Sequence, residues 1–322
     1  MKKKILVGVL TACMAAALFA LSACGGGNSA LRFVTGGESG TYYAVGNVIA
    51  NDATNNTDVK VTALVGNGSK SNCDALKDGD AELAFCQSDV MAYAYAGTNI
   101  FADEGAITNF STLGALYMEQ VQIVTCDPTI KTVADLKGKV VSIGAAGSGV
   151  YFNAIDVLGA YGLTLNDITP SYQSFGDSAD SLQNGQIDAA FIVAGAPTAA
   201  ITNLSTTKQA YLVALDDAHV AALLASSPYY SKNVIPAGTY SGINTDITTV
   251  AVGAVVLVRD DVDEDAVYAI TARLFDNLQA LEASHAKFSE MSIEFGASVT
   301  SVPYHPGAAK YFAEKGYTVA TK

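Results

Sequence analysis

The chain has 322 residues, half of them hydrophobic, with 18 basic and 31 acidic side chains and no tryptophan. At roughly 100–200 residues per domain that length predicts two compact units, each able to bury a core, and a charged fraction of only 15% excludes wholesale disorder. The net charge is −13 and no basic cluster stands outside the extreme N-terminus, which excludes a nucleic-acid partner.

Lys2, Lys3 and Lys4 are followed by an apolar run over residues 5–21, broken only by Gly8 and Thr11. Leu21-Ser22-Ala23-Cys24 and a Gly25-Gly26-Gly27-Asn28-Ser29 stretch come next. A positive start, an apolar middle and small residues at the exit are the parts of a secretory signal. The Leu-Ser-Ala-Cys ending resembles the lipobox of bacterial lipoproteins, where the cysteine receives a diacylglycerol and becomes the new N-terminus. A permanent span is the alternative, but about 17 residues is at the short limit for crossing a ~30 Å hydrocarbon core. The expectation is an extracytoplasmic chain with a signal peptide over 1–23 and a linker over 24–30, anchored to the membrane by a lipid on Cys24. Without the signal its charge is −16. Cys13 leaves with the signal. Cys73, Cys86 and Cys126 fit no zinc spacing; they allow one disulfide and one buried thiol, or three buried thiols, and their apolar surroundings favour structural burial.

The next elements echo one another. A strand over 31–35 leads through Gly36-Gly37-Glu38-Ser39-Gly40-Thr41-Tyr42-Tyr43 into a helix reaching Ala53. At an offset of 109, a strand over 140–143 leads through Gly144-Ala145-Ala146-Gly147-Ser148-Gly149-Val150-Tyr151-Phe152 into a helix reaching Tyr161. A second pair recurs at an offset of 106. Leu76-Lys77-Asp78-Gly79-Asp80-Ala81-Glu82-Leu83-Ala84-Phe85 matches Leu182-Gln183-Asn184-Gly185-Gln186-Ile187-Asp188-Ala189-Ala190-Phe191, each reading as helix end, glycine cap and buried strand. Cys86-Gln87-Ser88-Asp89 follows the first and Ile192-Val193-Ala194-Gly195-Ala196-Pro197 the second. This double echo predicts an α/β fold of two lobes built from strand–glycine loop–helix units. Ligands of such sheets bind beyond the strand carboxyl ends, where all these loops lie, so the lobes would share one cleft. Further along, strands are predicted over 121–125 and 250–258 and helices over 133–139, 263–282 and 308–315. With crossovers near Cys126 and Asp246, lobe 1 comprises residues 31–126 plus 247–322 and lobe 2 residues 127–246.

Catalytic chemistry is not assembled. The histidines, His219, His285 and His305, stand apart in helix-end or turn contexts, and no Gly-x-Ser-x-Gly, Gly-x-Gly-x-x-Gly, phosphate loop or His-Glu-x-x-His occurs. No enzyme, metal site or cofactor is expected. Glycine- and serine-rich loops running into helix starts instead offer unpaired N–H groups to an anion. Three such loops stand out: Gly37–Tyr42, Gly66-Asn67-Gly68-Ser69-Lys70-Ser71-Asn72 before a helix over 73–77, with Ser69 or Ser71 as its cap, and Gly147-Ser148-Gly149-Val150. Tyr42, Tyr43, Tyr117 and Tyr151 are candidate walls. Gln87, Ser88, Asp89 and Glu119 are candidates for holding an ammonium or amide.

Gly-x-Ser-Gly-Thr-Tyr-Tyr near the mature start, Gly66-Asn67-Gly68-Ser69 with Asn72, Asp135-Leu136-Lys137-Gly138-Lys139-Val140-Val141, Gly147-Ser148-Gly149, Gly195-Ala196-Pro197 and His305-Pro306-Gly307-Ala308-Ala309 are together similar to the TAXI family. These are extracytoplasmic solute receptors of TRAP (tripartite ATP-independent periplasmic) transporters. The resemblance, which covers nearly the whole mature chain, implies a two-lobed periplasmic-binding-protein-like fold of type II that closes over a small anionic or zwitterionic solute. The cargo would be an amino acid such as glutamate or glutamine, or another small carboxylate, passed to a permease driven by an ion gradient. By position, Thr41, Tyr42, Asn67, Ser69 and Asn72 would line the first lobe, while Ser148, Gly149 and Val150 would meet the ligand carboxylate from the second. Gly68, Gly195 and Pro197 belong to the same motifs. Val150 replaces a common threonine, removing one hydroxyl, and Arg32, Arg259 and Arg273 all lie outside the cleft loops. The alternative partner is an ATP-driven (ABC) importer, whose receptors share the fold; a surface enzyme and a sensor subunit for a membrane kinase are the remaining classes.

Overall fold

A computed structural model describes residues 30–322, so the signal-like segment and Cys24 lie outside the described residues. The strands are β1 (Leu31–Val34), β2 (Val61–Leu64), β3 (Leu83–Gln87), β4 (Phe110–Thr125), β5 (Val140–Ser142), β6 (Thr169–Ser171), β7 (Ala189–Ala194), β8 (Tyr211–Leu212), β9 (Ser231–Ile235) and β10 (Ile247–Arg259). They form one mixed sheet in the order β2-β1-β3-β10-β4-β7-β5-β6, with β8 added to β4 and β9 to β10. β1 runs parallel to β2 and β3, and β3 lies antiparallel to β10. In the other half β5 runs parallel to β6 and β7, and β7 lies antiparallel to β4. The internal repeat is therefore a repeat of topology: β2-β1-β3-β10 answers β6-β5-β7-β4.

The longer helices among the described residues are α1 (Thr41–Asn56), α2 (Ser69–Asp78), α3 (Ser88–Ala96), α4 (Val150–Ala160), α5 (Phe175–Gln183), α6 (Ala199–Thr207), α7 (Asp217–Ser226), α8 (Glu264–Phe275) and α9 (Pro306–Glu314). Helices cover both faces of the inner strands, which explains the unbroken apolar runs of β3 and β7. The repeated glycine caps are real. Gly79 after α2 and Gly185 after α5 both take positive φ, a conformation that other residues adopt at a cost.

β4 and β10 tie the halves together. They pair with each other from Phe110 to Gln120, with register shifts at Ala254/Val255 and Val256/Leu257. Tyr117, Ala254 and Val256 pack with Phe33, Phe85, Phe275 and Phe312. Val121, Val250 and Val252 pack instead with Val141, Val157 and Phe191. The packing thus changes hands within the two long strands, near Gln120 and Gly253, several residues inside the expected crossovers at Cys126 and Asp246, because Val121, Ile123, Val250 and Val252 pack into the second half.

Two elements differ from expectation. β4 begins eleven residues before the predicted strand over 121–125, because buried Ser111, Thr112, Glu119 and Gln120 disguise its first part. The helix predicted over 263–282 stops at Asp276, where the Asn277 side chain donates back to the Arg273 carbonyl at 2.8 Å and a separate short turn, Leu278–Leu281, follows. The three described cysteines are free thiols; Cys73 and Cys86 are buried with their sulfurs 3.5 Å apart, and Cys126 is half-buried. No helix among the described residues is long and apolar enough to cross a membrane.

Candidate functional site

A cleft of about 430 Å³ opens at the carboxyl ends of the strands, between the two halves of the sheet. That volume falls within the ~300–1,000 Å³ usual for small-molecule sites. Its walls are helix beginnings. Gly40 precedes α1, Gly68 precedes α2, Gly149 precedes α4 and Ser174 precedes α5, and all four positions line the cleft. The repeat places them, since 40 and 149 are equivalent, as are 68 and 174. Ser174 caps α5 by accepting from the Asp177 N–H at 3.2 Å. The three glycines have no side chain with which to cap, so the first turns of α1, α2 and α4 leave N–H groups and positive dipole ends toward the cavity.

The expected cap is absent for a positional reason. Ser69 is the first residue of α2, not its cap, and its hydroxyl oxygen accepts from the Gln87 N–H at 3.1 Å. This bond fixes the end of β3 against the start of α2.

Of the residues expected at the site, Thr41, Tyr42, Asn67, Gly68, Ser69, Gln87, Ser148, Gly149 and Val150 line the cleft, and so does Glu119. Tyr42 is held by stacking on Phe85, with ring centroids 4.5 Å apart, and donates its hydroxyl to Glu119 Oε2 at 2.6 Å. Burial pushes the Glu119 carboxyl well above the usual carboxylate range, against the lowering effect of the Tyr42 hydrogen bond. Burial and then the Glu119 charge likewise raise the Tyr42 phenol.

Six expected residues do not line the cavity. Asn72 is turned inward, donating to the carbonyls of Thr35 and Phe85 at 2.7 and 2.8 Å. The Ser88 hydroxyl accepts from the Gly253 N–H at 2.9 Å, so it braces α3 on β10. Asp89 is fully buried behind Gln87. Tyr117 lies beneath Phe85 with Lys287 Nζ 5.9 Å from its ring centroid. The Gly195 carbonyl accepts from Thr41 Oγ1 at 2.9 Å just beyond the cavity wall, and Pro197 is exposed. Tyr43 and Tyr151 are also off the lining; Tyr151 stacks on Tyr172.

The sequence reading missed Ser174, Phe175, Gly176, Asp177 and Asp180, which close the cavity from the α5 side. The signal was available, because the offset of 106 projects 68–71 onto 174–177. Glu38, Asp177 and Asp180 are exposed acids at the rim, and no lysine, arginine or histidine among the described residues lines the cavity. His219 stacks on Tyr161 and pairs with Asp216, while His285 and His305 cap helix starts through Nδ1.

The halves are closed upon each other. The Ser71 N–H donates to the Gly147 carbonyl at 3.0 Å, the Ala200 N–H to the Ser39 carbonyl at 3.2 Å, and Gln87 Nε2 to Asn153 Oδ1 at 3.0 Å. Lys287 Nζ, itself buried, donates to the Ala196 carbonyl at 2.6 Å from the opposite side. Glycine permits this approach: a Cβ on Gly149 would stand 1.7 Å from Gln87 Oε1.

The model of one protein family matches residues 33–316, most of the chain. The chain belongs to the NMT1-like family. Solved structures share its fold at low sequence identity. A protein of Bordetella bronchiseptica RB50 is 14% identical, covers 90% of this chain and 82% of its own, and superposes with a TM-score of 0.55. A periplasmic transporter is also 14% identical, with 90% and 95% covered and a TM-score of 0.54. The ligand-binding component of an ABC-type import system from Staphylococcus aureus, solved with zinc bound, is 10% identical, with 91% and 94% covered and a TM-score of 0.51. This NMT1-like chain has the mixed α/β, periplasmic-binding-protein-like fold.

Proposed function

We propose that the protein is an extracytoplasmic solute receptor that binds a small carboxylate or an amino acid of glutamate or glutamine size and hands it to a TRAP-type permease. The observation that carries this reading is the convergence of three helix starts without side-chain caps on one cavity that no basic side chain among the described residues lines. Backbone N–H groups with their dipoles suit a carboxylate, and the exposed rim acids Glu38, Asp177 and Asp180 suit an ammonium. The lobes are built on residues 31–126 plus 247–322 and on residues 127–246, with Val121, Ile123, Val250 and Val252 of the two linking strands packing into the second. Bending within β4 and β10 opens and closes the cleft between them, and the lipid on Cys24 keeps the receptor at the membrane. The TRAP assignment rests on the motif resemblance. The ABC alternative draws on the importer component among the fold neighbours, whose likeness to this chain extends to the fold alone.

A thermal-shift screen against amino acids, dicarboxylates and keto acids tests the receptor reading. A solute at 100 times its Kd adds about 2.7 kcal/mol, roughly 5 °C for a chain of this size. A flat screen together with no solute extractable from the purified protein refutes it. Uptake into vesicles holding the genetically adjacent permease then separates the partners: a TRAP system runs on an imposed ion gradient, an ABC system on ATP.

A further inference from the structure

Of the four carboxyl groups that line the cleft, Glu38, Asp177 and Asp180 stand exposed at the rim, whereas Glu119 is 2% exposed. Glu119 sits on β4 opposite Val252 of β10, between apolar neighbours. Its Oε2 accepts from Tyr42 Oη at 2.6 Å. Oε1 has no protein donor among the described residues and, unlike Gln87 Oε1 and Ser148 Oγ, is not sealed from the cleft. The titratable groups around it come from five directions: Tyr42 from α1, Tyr117 from the same strand, Cys86 from β3 beyond Tyr42, Asp89 from α3, and Lys287 with Glu290 from the turn Ala286–Glu290. None of them neutralises a charge on Glu119. The Lys287 ammonium already donates to the Ala196 carbonyl and to Glu290 Oε1, each at 2.6 Å, and Asp89, whose Oδ2 accepts from Asn153 Nδ2 at 3.0 Å, adds charge of the same sign. An anion drawn to the three uncapped helix starts would therefore share one enclosed cavity with Glu119, and two carboxylates in such a site do not both stay ionised. Burial, the dominant influence on Glu119, assigns the shared proton to it and not to the solute.

We infer that Glu119 is a further solute-binding residue that works as a neutral acid, holding a proton on Oε1 and offering it as a hydrogen bond to the solute anion, so that capture of the anion is proton-coupled. The inference rests on the receptor reading and deepens it. The linkage has a definite sign. Opening the cleft brings water to Glu119, while closure and the solute's negative charge both favour its neutral form, so binding takes a proton from solvent. Affinity is therefore complete at low pH and is lost as the pH rises through the range in which Glu119 of the open form ionises.

The test is calorimetric titration of the full chain with glutamate, glutamine, glutarate and 2-oxoglutarate between pH 6 and pH 9, each in two buffers of unlike ionisation heat. For every solute that binds, the parent's Kd is expected to rise about tenfold or more over this range, with uptake of about one proton per solute at its alkaline end. Glu119→Gln keeps an acceptor for Tyr42 but has no proton to exchange, so the uptake and the pH slope both disappear. Asp89→Asn retains them, because Asp89 does not line the cleft. Tyr42→Phe removes the bond that favours the ionised form, so the rise in Kd moves to higher pH; it serves where Glu119→Gln fails to fold. A flat parent profile, uptake that survives in Glu119→Gln, or uptake that vanishes in Asp89→Asn overturns the inference. If none of these solutes binds, the receptor reading has failed for this class, and the proton is read in the protein alone. The infrared difference at pH 7 between the parent and Glu119→Gln or Tyr42→Phe must then contain the C=O stretch of a neutral carboxyl; carboxylate bands in its place overturn the inference.

Discussion

Gly149→Ala probes whether the closed geometry is the one that binds. Gly149 has φ −71° and ψ −22°, so its backbone accepts alanine without strain. The added methyl instead meets Gln87 Oε1 at 1.7 Å, Gln87 Cδ at 2.6 Å and Ser69 Oγ at 2.9 Å. Ordinary contact requires Oε1 to withdraw by about 1.7 Å, which breaks the 3.0 Å bond from Gln87 Nε2 to Asn153. Gln87 is too buried for water to replace that bond, so the closed form loses about 1–3 kcal/mol. Separation of the halves relieves the overlap entirely, because Gly149 and Gln87 stand on opposite sides of the cleft. The substitution is therefore silent in an open form and costly in a closed one. Since the solute selects the closed form, Kd should rise about 5- to 150-fold while circular dichroism stays that of the parent. The assay is isothermal titration with the tightest solute of the thermal-shift screen. A Kd within twofold of the parent would mean that the Gly149–Gln87 approach is no part of the bound state, and the reasoning fails.

Three further outcomes follow from the same geometry. Native Asp89 keeps its proton up to about pH 7, while an unfolded aspartate releases it near 3.8, so this group's stabilisation is complete below about pH 4 and is lost as the pH rises to 7. The full loss is about 4 kcal/mol; urea unfolding should show Asp89→Asn gaining on the parent by about 3 kcal/mol between pH 4.5 and pH 8, and a constant difference would contradict it. Lys287→Met removes the buried ammonium that donates to the Ala196 carbonyl and to Glu290, each at 2.6 Å, and should cost about 2 kcal/mol in urea unfolding and weaken solute binding as well. Ser148→Phe fills the gap opposite Gly68, where a Cβ would already lie 3.3 Å from Ser148, and should abolish binding with the fold intact by circular dichroism.

What the sequence makes legible here is what repeats or what glycine marks. The offsets of 109 and 106 announce the paired topology, and Gly40, Gly68 and Gly149 announce three of the four helix starts. The fourth escapes because Ser174-Phe175-Gly176-Asp177 matches Gly68-Ser69-Lys70-Ser71 at no aligned position; the two segments do the same job with a capped and an uncapped helix. The motif resemblance points to Asn72 and the strand-end position to Ser88 and Asp89, but consecutive residues at a strand end or on a helix point to different sides. Asn153 and Lys287 carried no signal at all. Their roles depend on partners 64 and 91 positions away, which only the closed arrangement brings together. The first half of β4 was hidden for a related reason, as its buried polar residues find partners in distant segments, such as Ser111 with Asp260 and Glu119 with Tyr42.

The proposal that so acidic a chain binds an anion needs a reason, and the cleft supplies one. At ~0.1 M salt, charges on the far surface are screened within about 10 Å, so the net charge of the chain matters less to a bound carboxylate than the groups touching it. Those groups are backbone N–H donors already ordered by their helices, so no flexible side chain has to be immobilised when the solute arrives. An arginine would bind the carboxylate more strongly but would also hold it in competition with release to the permease. Neutral donors give the opposite balance. Their contribution depends on both halves presenting Gly40, Gly68 and Gly149 at once, so it vanishes as the cleft opens. Affinity in this design is tied to closure itself, which is the property a receptor requires if it must both capture a solute and surrender it.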